Sequence, residues 1–223
     1  MTRKVLIGTP AHDGRLDVWY CNSLVNTIRL SAVHKVRIDP IYLSYDSLIQ
    51  RARNDLVRMA LEENYDDLIF IDSDQEWDPE WIFALLNHPV DVVGGTVVKK
   101  QDNPILFNIK ALPEGLEIKN GLIEVACVGT GFLRISRKAL QEMWEASEEY
   151  KNEGRTCRMV FDVRVENGEL VSEDNIFCNK WRSTGGKVFI DPSMTCNHIG
   201  VKKFSGNFMH FYDWLKSQNK QAA

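Results

Sequence analysis

A single α/β domain with a mostly parallel central sheet is the fold this sequence predicts, and three observations predict it. Short apolar runs bounded by Gly, Pro or Asp recur in the first half, as at Val5-Leu6-Ile7-Gly8 and Leu68-Ile69-Phe70-Ile71. Between them lie longer stretches whose apolar residues return at helical spacing. No linker or repeat divides the 223 residues, a length that suits one large domain or two small halves sharing a sheet. Strands alternating with helices indicate parallel pairing with helices on the sheet faces.

The elements follow in order. Val5 to Gly8 reads as a buried strand ending at Thr9-Pro10. Val18, Cys21, Leu24, Val25 and Ile28 place a helix over 17–30. The stretch 37–43 alternates as a strand, and Asp46 or Ser47 caps a helix running to about Glu62. Residues 67–71 form the next strand. Asp78-Pro79, an acidic cap before proline, starts a helix that ends near Asn87, and 90–93 is a further short strand. The second half is mixed. Turn signals at Pro113-Glu114-Gly115 and Asn120-Gly121 break 105–126 into short strands. A strand over 132–135, a helix over 136–150 and a polar loop over 151–158 come next. Ser172 caps a helix that stops at Gly185-Gly186, 188–190 is a last strand, and Phe208, Phe211, Tyr212 and Leu215 mark a C-terminal helix. From Gln218 the chain reads as a loose tail.

A net charge of −4 argues against a nucleic-acid binder. The five cysteines are dispersed without a C-x-x-C pair, which fits reduced thiols in a cytosolic compartment. The N-terminal apolar run is too short for a signal peptide, and no run approaches the roughly 20 residues that span a bilayer. The expectation is a soluble, cytoplasmic protein with no transmembrane segment.

The chemistry centres on LIFIDSDQEWDP, where an apolar strand runs into Asp72, Ser73 and Asp74. Ligands of open α/β sheets sit beyond the carboxyl ends of the strands. Two carboxylates one residue apart there can serve a divalent cation and a ribose hydroxyl, and hard oxygen donors suit Mg²⁺ or Mn²⁺. A polar turn capping the next helix would also account for them. Other features bear on the choice. Glu173-Asp174 opens a helix, where the dipole favours acids, or supplies a base for a hydroxyl. His198 follows an apolar strand and is either structural or a partner to Asp74 on a metal. Gly129-Thr130-Gly131 is a tight turn or a close backbone approach to a sugar. Arg51 and Arg53, near Tyr45, are a solvated face or phosphate ligands.

In order and content these stretches resemble the GT-A-fold glycosyltransferases, Rossmann-like enzymes, and in particular the small phage, large-DNA-virus and bacterial members near glycosyltransferase family 2. The likeness spans Val5 to about Gly200 and rests on LIGTP, SLIQRARNDLV, LIFIDSDQEW, VGTGFLRISRKAL, SEDNIFCNKWRSTGG and HIG. It implies one domain over 1–217, with a nucleotide-sugar half to about residue 100 and an acceptor and catalytic half beyond. It also implies a metal-dependent transfer of a sugar from a nucleoside diphosphate sugar, a UDP-sugar first among donors, to a hydroxyl of a glycan or glycoconjugate. Thr9, Pro10 and Ala11 would line base and ribose, Tyr45 could stack on the base, and Arg53 and Arg51 would hold the nucleotide. Asp72 and Ser73 would face ribose and donor sugar, while Asp74 and His198, with Asp72 beside them, would hold Mn²⁺ or Mg²⁺. Lys202 or Lys203 would lie near the diphosphate, and Gly129, Thr130 and Gly131 would border the donor sugar. Asp174 would be the base of an inverting enzyme and Glu173 would hold the acceptor. A retaining enzyme on this fold, a sugar-1-phosphate nucleotidyltransferase and a non-catalytic nucleotide-sugar or glycan-binding module are the alternatives. The chain lacks the glycine-rich loop typical of the nucleotidyltransferases after the first strand.

Overall fold

The computed structural model describes residues 2–101 and 104–221. Among these residues the main sheet runs, in spatial order, Val36–Ser44, Arg3–Ala11, Asp67–Ile71, Phe132–Ser136, Val92–Val97, Val188–Ile199, Leu122–Val125 and Ile118–Lys119. Strands Val36–Ser44, Arg3–Ala11, Asp67–Ile71, Val92–Val97 and Val188–Ile199 share one direction, and Phe132–Ser136 runs against its two neighbours. The mostly parallel centre and the mixed second half are therefore as the sequence indicates.

Six helices among the described residues cover the sheet: α1 (Val18–Ser31), α2 (Ile49–Glu62), α3 (Glu80–Asn87), α4 (Arg137–Glu145), α5 (Glu173–Ser183) and α6 (Phe208–Gln221). Two cores result. Alternate strand residues such as Leu6, Leu68, Phe70, Leu133 and Ile135 pack with α2, α4, α5 and α6. The intervening ones, Val5, Ile7, Ile69, Ile71 and Phe132, pack with α1 and α3. A strand buried on both faces must be apolar throughout, which is why the central strands read as continuous runs rather than alternations.

The amino end of the Asp67–Ile71 strand is tied by charge. Asp67 is fully buried. It accepts from Arg3 Nε at 2.6 Å on one oxygen and from Arg134 Nε at 2.6 Å on the other. Arg3 reaches on to the Leu86 carbonyl and Arg134 to the Val90 carbonyl, so one carboxylate fixes three strands and the end of α3.

Several elements differ from expectation. Helix α2 starts after Leu48, not at Asp46 or Ser47, because Asp46 accepts from the Leu48 N–H and grips Arg51 instead. Helix α4 stops at Glu145, and the expected loop over 151–158 is part of a hairpin pairing Glu149–Asn152 with Arg155–Arg158. Its turn residues, Glu153 and Gly154, have φ of 49° and 80°, the left-handed pair that a two-residue hairpin requires. A second hairpin, Arg164–Glu166 with Glu169–Val171, turns on Asn167-Gly168. The last sheet strand extends to Ile199, far past residue 190, and α6 runs to Gln221, beyond the start of the expected tail. Asp78 behaves as expected, accepting from the Glu80 N–H at 3.0 Å. No helix among the described residues is long and apolar enough to cross a membrane.

Candidate active site

The strand topology gathers the polar residues at the carboxyl ends of the parallel strands, where such sheets bind ligands. Asp67–Ile71 delivers Asp72 to Asp74. The neighbouring antiparallel strand enters through Gly129-Thr130-Gly131, and the Asp72 N–H donates to the Gly131 carbonyl at 3.2 Å. A Cβ on Gly131 would lie 3.2 Å from Asp72 Oδ2, so the glycine leaves that carboxylate its place. Gly129 is packed more tightly, since a Cβ there would come within 2.0 Å of Asn108 Nδ2. Gly129→Ala is expected to destabilise the protein by about 1–3 kcal/mol through overpacking, read as a lowered melting temperature; unchanged melting would mean that Asn108 moves aside freely.

Two cavities meet at Asp72. The outer, about 700 Å³, is bounded by the loop after the first strand, from Pro10 to Asp17, and by Asp74, His198 and Gly200. The inner, about 420 Å³, is bounded by Arg53, Thr130, Gly131, Asn108, Glu173 and Asp174. Asp72, Lys100, His198 and Ile49 line both and form the seam.

At the outer side of the seam, Asp74 Oδ2 lies 2.6 Å from Lys100 Nζ and 3.4 Å from His198 Nε2. Burial alone would raise the Asp74 carboxyl, yet His198 and Lys100 pull it down to about 2. His198 Nδ1 lies 2.9 Å from the Val98 carbonyl. A carbonyl only accepts, so Nδ1 carries a proton, and Nε2 is the nitrogen turned toward Asp74. A ring nitrogen fixed in this way from behind is the usual arrangement of a histidine metal ligand. A carboxylate oxygen and an imidazole nitrogen facing each other across a cleft are a donor pair that Mn²⁺ or Mg²⁺ accepts. Among the described residues no group of three or more His, Cys, Asp and Glu side chains forms a metal site. The protein thus offers two donors, and the remaining positions would fall to ligand oxygens and water.

The inner cavity is organised by Arg53, which is 2% exposed. Its Nη2 donates to Asp72 Oδ1 at 3.2 Å, and its Nε stands 3.4 Å from Glu173 Oε1. Nε and Nη1 have no hydrogen-bond partner among the described residues, although a buried polar group without one is costly. Burial raises the Glu173 carboxyl above the ordinary glutamate range, Arg53 relieves this only in part, and Asp174 and Asp72 add to the rise. Asp174 Oδ1 accepts from the Ser172 hydroxyl and from the Asn175 N–H, both within its own helix turn.

Of the residues singled out by sequence, Asp72, Ser73, Asp74, His198, Pro10, Arg53, Thr130, Gly131, Glu173 and Asp174 line one cavity or the other. Others do not. Thr9 is fully buried, with its hydroxyl 2.6 Å from that of Tyr20, and Ala11 is buried beside it. Arg51 is held by Asp46, and Tyr45, with φ of 62° and 79% exposed, lies against Gly14 in the loop that bounds the outer cavity without lining that cavity. Lys202 lies over the Phe204 ring, and Lys203 pairs with Glu76 and lies over the Trp19 ring. Sequence reasoning passed over Lys100, Gln75 and Asn108. Lys100 follows the strand Val92–Val97 by three residues, so the strand-end rule that found Asp72 points to it as well.

No protein-family model matches the chain, and no curated protein matches its sequence. Solved structures do. The crystal structure of A197 from STIV is similar over 89% of this chain and 86% of that one, with a TM-score of 0.54 and 18% identity. A glycosyltransferase involved in the glycosylation of the major capsid of PBCV-1 aligns with 63% of the chain and 62% of its own, at a TM-score of 0.34 and 13% identity. A mannose-1-phosphate geranyltransferase from Thermus thermophilus aligns with 66% of each chain, at a TM-score of 0.35 and 12% identity. The last two superpose too loosely to bear on the fold; the first shows that this chain shares its α/β architecture with a protein of known structure.

Proposed function

We propose that the chain is a glycosyltransferase that moves a sugar from a nucleoside diphosphate sugar, a UDP-sugar first among them, to a hydroxyl of a glycan or glycoconjugate. One observation carries the reading: two cavities that join at Asp72, with the Asp74–His198 pair on one side and the Glu173–Asp174 pair on the other. The outer cavity has room for a nucleotide, and the inner for a pyranose and the incoming hydroxyl. Asp72 at the seam would accept from the ribose and the donor sugar. Arg53 Nη1, which has no hydrogen-bond partner among the described residues, would donate to a sugar hydroxyl, which relieves its burial and selects an oxygen-rich ligand over an apolar one.

Asp74 and His198 fit the donor set that Mn²⁺ or Mg²⁺ accepts, and such a cation would neutralise charge growing on the departing diphosphate. The other roles belong to the protein. Glu173, tethered to Arg53, orients the acceptor. Asp174 takes the acceptor's proton as that hydroxyl attacks the anomeric carbon, and a single in-line displacement inverts the configuration. With Asp174 as the base and Glu173 as the group that orients the acceptor, Asp174→Asn would abolish transfer and spare donor binding, whereas Glu173→Gln would weaken acceptor use first.

The test is a panel of nucleotide sugars incubated with the protein, with and without Mn²⁺, and scored for released nucleoside diphosphate. Metal-stimulated release from one donor is expected. Release of pyrophosphate would instead indicate a nucleotidyltransferase. Silence across the panel, with no donor raising the melting temperature, would leave a binding module and reduce Asp72 and Asp74 to turn residues.

A further inference from the structure

We infer that Lys100 competes with a divalent cation for Asp74 and turns to the donor's diphosphate when that cation is bound. The inference rests on the donor-site reading above and adds to it a residue with a defined exchange of partners.

Three features support it. Lys100 lies on the seam, lining both cavities together with Asp72 and His198. Its Nζ stands 2.6 Å from Asp74 Oδ2, the same oxygen that lies 3.4 Å from His198 Nε2. A divalent cation bound to Oδ2 and Nε2 would sit within a few ångströms of the ammonium, and two positive charges at that separation repel strongly. The two occupants of Oδ2 therefore exclude one another. The third feature is freedom to move. The Lys100 side chain is 40% exposed, and its stem runs beside Gly200, where an added Cβ would lie 3.4 Å from Lys100 Cδ. A four-carbon stem bearing a point charge can pivot without disturbing the backbone. The strongest alternative partner within reach of such a pivot would be a diphosphate in the outer cavity, since phosphate oxygens make short charge-assisted bonds to ammonium groups. The exchange would convert a pair that holds Asp74 in place into one that holds the leaving group.

The test is calorimetric titration of the whole protein with Mn²⁺ alone, and then of the Mn²⁺-saturated protein with UDP and with inorganic pyrophosphate, which needs no base pocket. Lys100→Met is compared with wild type, and thermal unfolding checks that the variant is folded. The expected result is opposite in sign for the two kinds of ligand. Mn²⁺ should bind Lys100→Met about fivefold tighter, because its competitor is gone. UDP and pyrophosphate should bind about tenfold more weakly, because a phosphate partner is gone. Lys100→Arg should keep most of the diphosphate affinity. Weaker Mn²⁺ binding, or no change in either ligand, would overturn the competition while leaving the donor site standing. A wild-type protein that binds neither Mn²⁺ nor diphosphate would overturn both.

Discussion

Asp74→Ala is expected to remove metal-stimulated donor turnover, lowering it by about 10²–10⁴-fold, the effect of losing several kcal/mol of stabilisation of the leaving charge. The reason is local. On the proposed reading Asp74 is one of two side chains that would hold the cation, and the ring of the other, His198, is fixed by the Val98 carbonyl with Nε2 toward Asp74. Loss of the carboxylate leaves an imidazole alone, which holds Mn²⁺ or Mg²⁺ weakly. The fold should survive, since Asp74 is at the rim with about a third of its side chain exposed. The pH profile makes a second check. The Asp74 carboxyl is drawn down to about 2, so the aspartate is ionised at any ordinary assay pH and cannot set the acid limb of activity. That limb falls to a group raised by burial, and Glu173 is the candidate in the inner cavity. Its sign is fixed: a carboxylate with a raised pKa is lost to protonation at a higher pH than an exposed one. Glu173→Gln should flatten the limb. Normal metal-stimulated turnover by Asp74→Ala, with the protein folded, would show that the cation binds elsewhere or not at all.

The largest stability effect is expected at the other end of the same strand. Asp67→Ala should cost about 3–5 kcal/mol, the range for removing one partner of a buried ion pair, and should lower the melting temperature by about 10 °C or more. Arg134 is itself 5% exposed. Without Asp67 it would be a buried guanidinium left with one backbone carbonyl. The Arg3 side chain is about a third exposed and would recover part of its loss by turning to water. The measurement is denaturant or thermal unfolding of the variant against wild type. A change under about 1 kcal/mol would mean that water enters the network and solvates Arg134. The double replacement Asp67→Ala with Arg134→Met tests the cause, because removing both charges should restore part of the stability that removing one destroys.

These two aspartates illustrate how far the sequence can be read. Both flank one apolar run, and the rule that ligands gather past carboxyl strand ends separates Asp72 and Asp74 from Asp67 without a structure. The span of α1 is legible from apolar spacing, but its buried face is not: Val18, Val25 and Ile28 are exposed, and Tyr20, Ser23, Leu24 and Thr27 face the core. Arg53 reads from sequence as a solvated face or a phosphate ligand, yet it sits among Ala52, Leu56, Val57 and Ala60 on the buried stripe of α2; a charged residue on an apolar stripe signals a buried ion pair. The hairpin at 149–158 is hidden because Glu149-Tyr150-Lys151-Asn152 continues helical spacing from α4, and only the turn pair Glu153-Gly154 marks it. The extent of the last strand is also hidden. Its register against Val92–Val97 breaks between Ile190 and Thr195, and Pro192 falls in the break, so the sequence reads there as a strand end. Lys100 gives no signal beyond its place after a strand, since a lysine near a chain turn is ordinary surface chemistry.

That last strand also bears on how the protein comes into being. Its final residues bring His198 to the Val98 carbonyl, 100 residues upstream, and Asn197 to Glu76, 121 residues upstream. During synthesis Arg3–Ala11, Val36–Ser44 and Asp67–Ile71 can leave the ribosome and pair long before residue 198 is made. Asp74 must then wait, exposed, for its imidazole. Contacts so distant in sequence form late and slowly, and because Val188–Ile199 lies between Val92–Val97 and Leu122–Val125, a messenger cut short before it would leave both neighbours unpaired on that side and the sheet open in its middle.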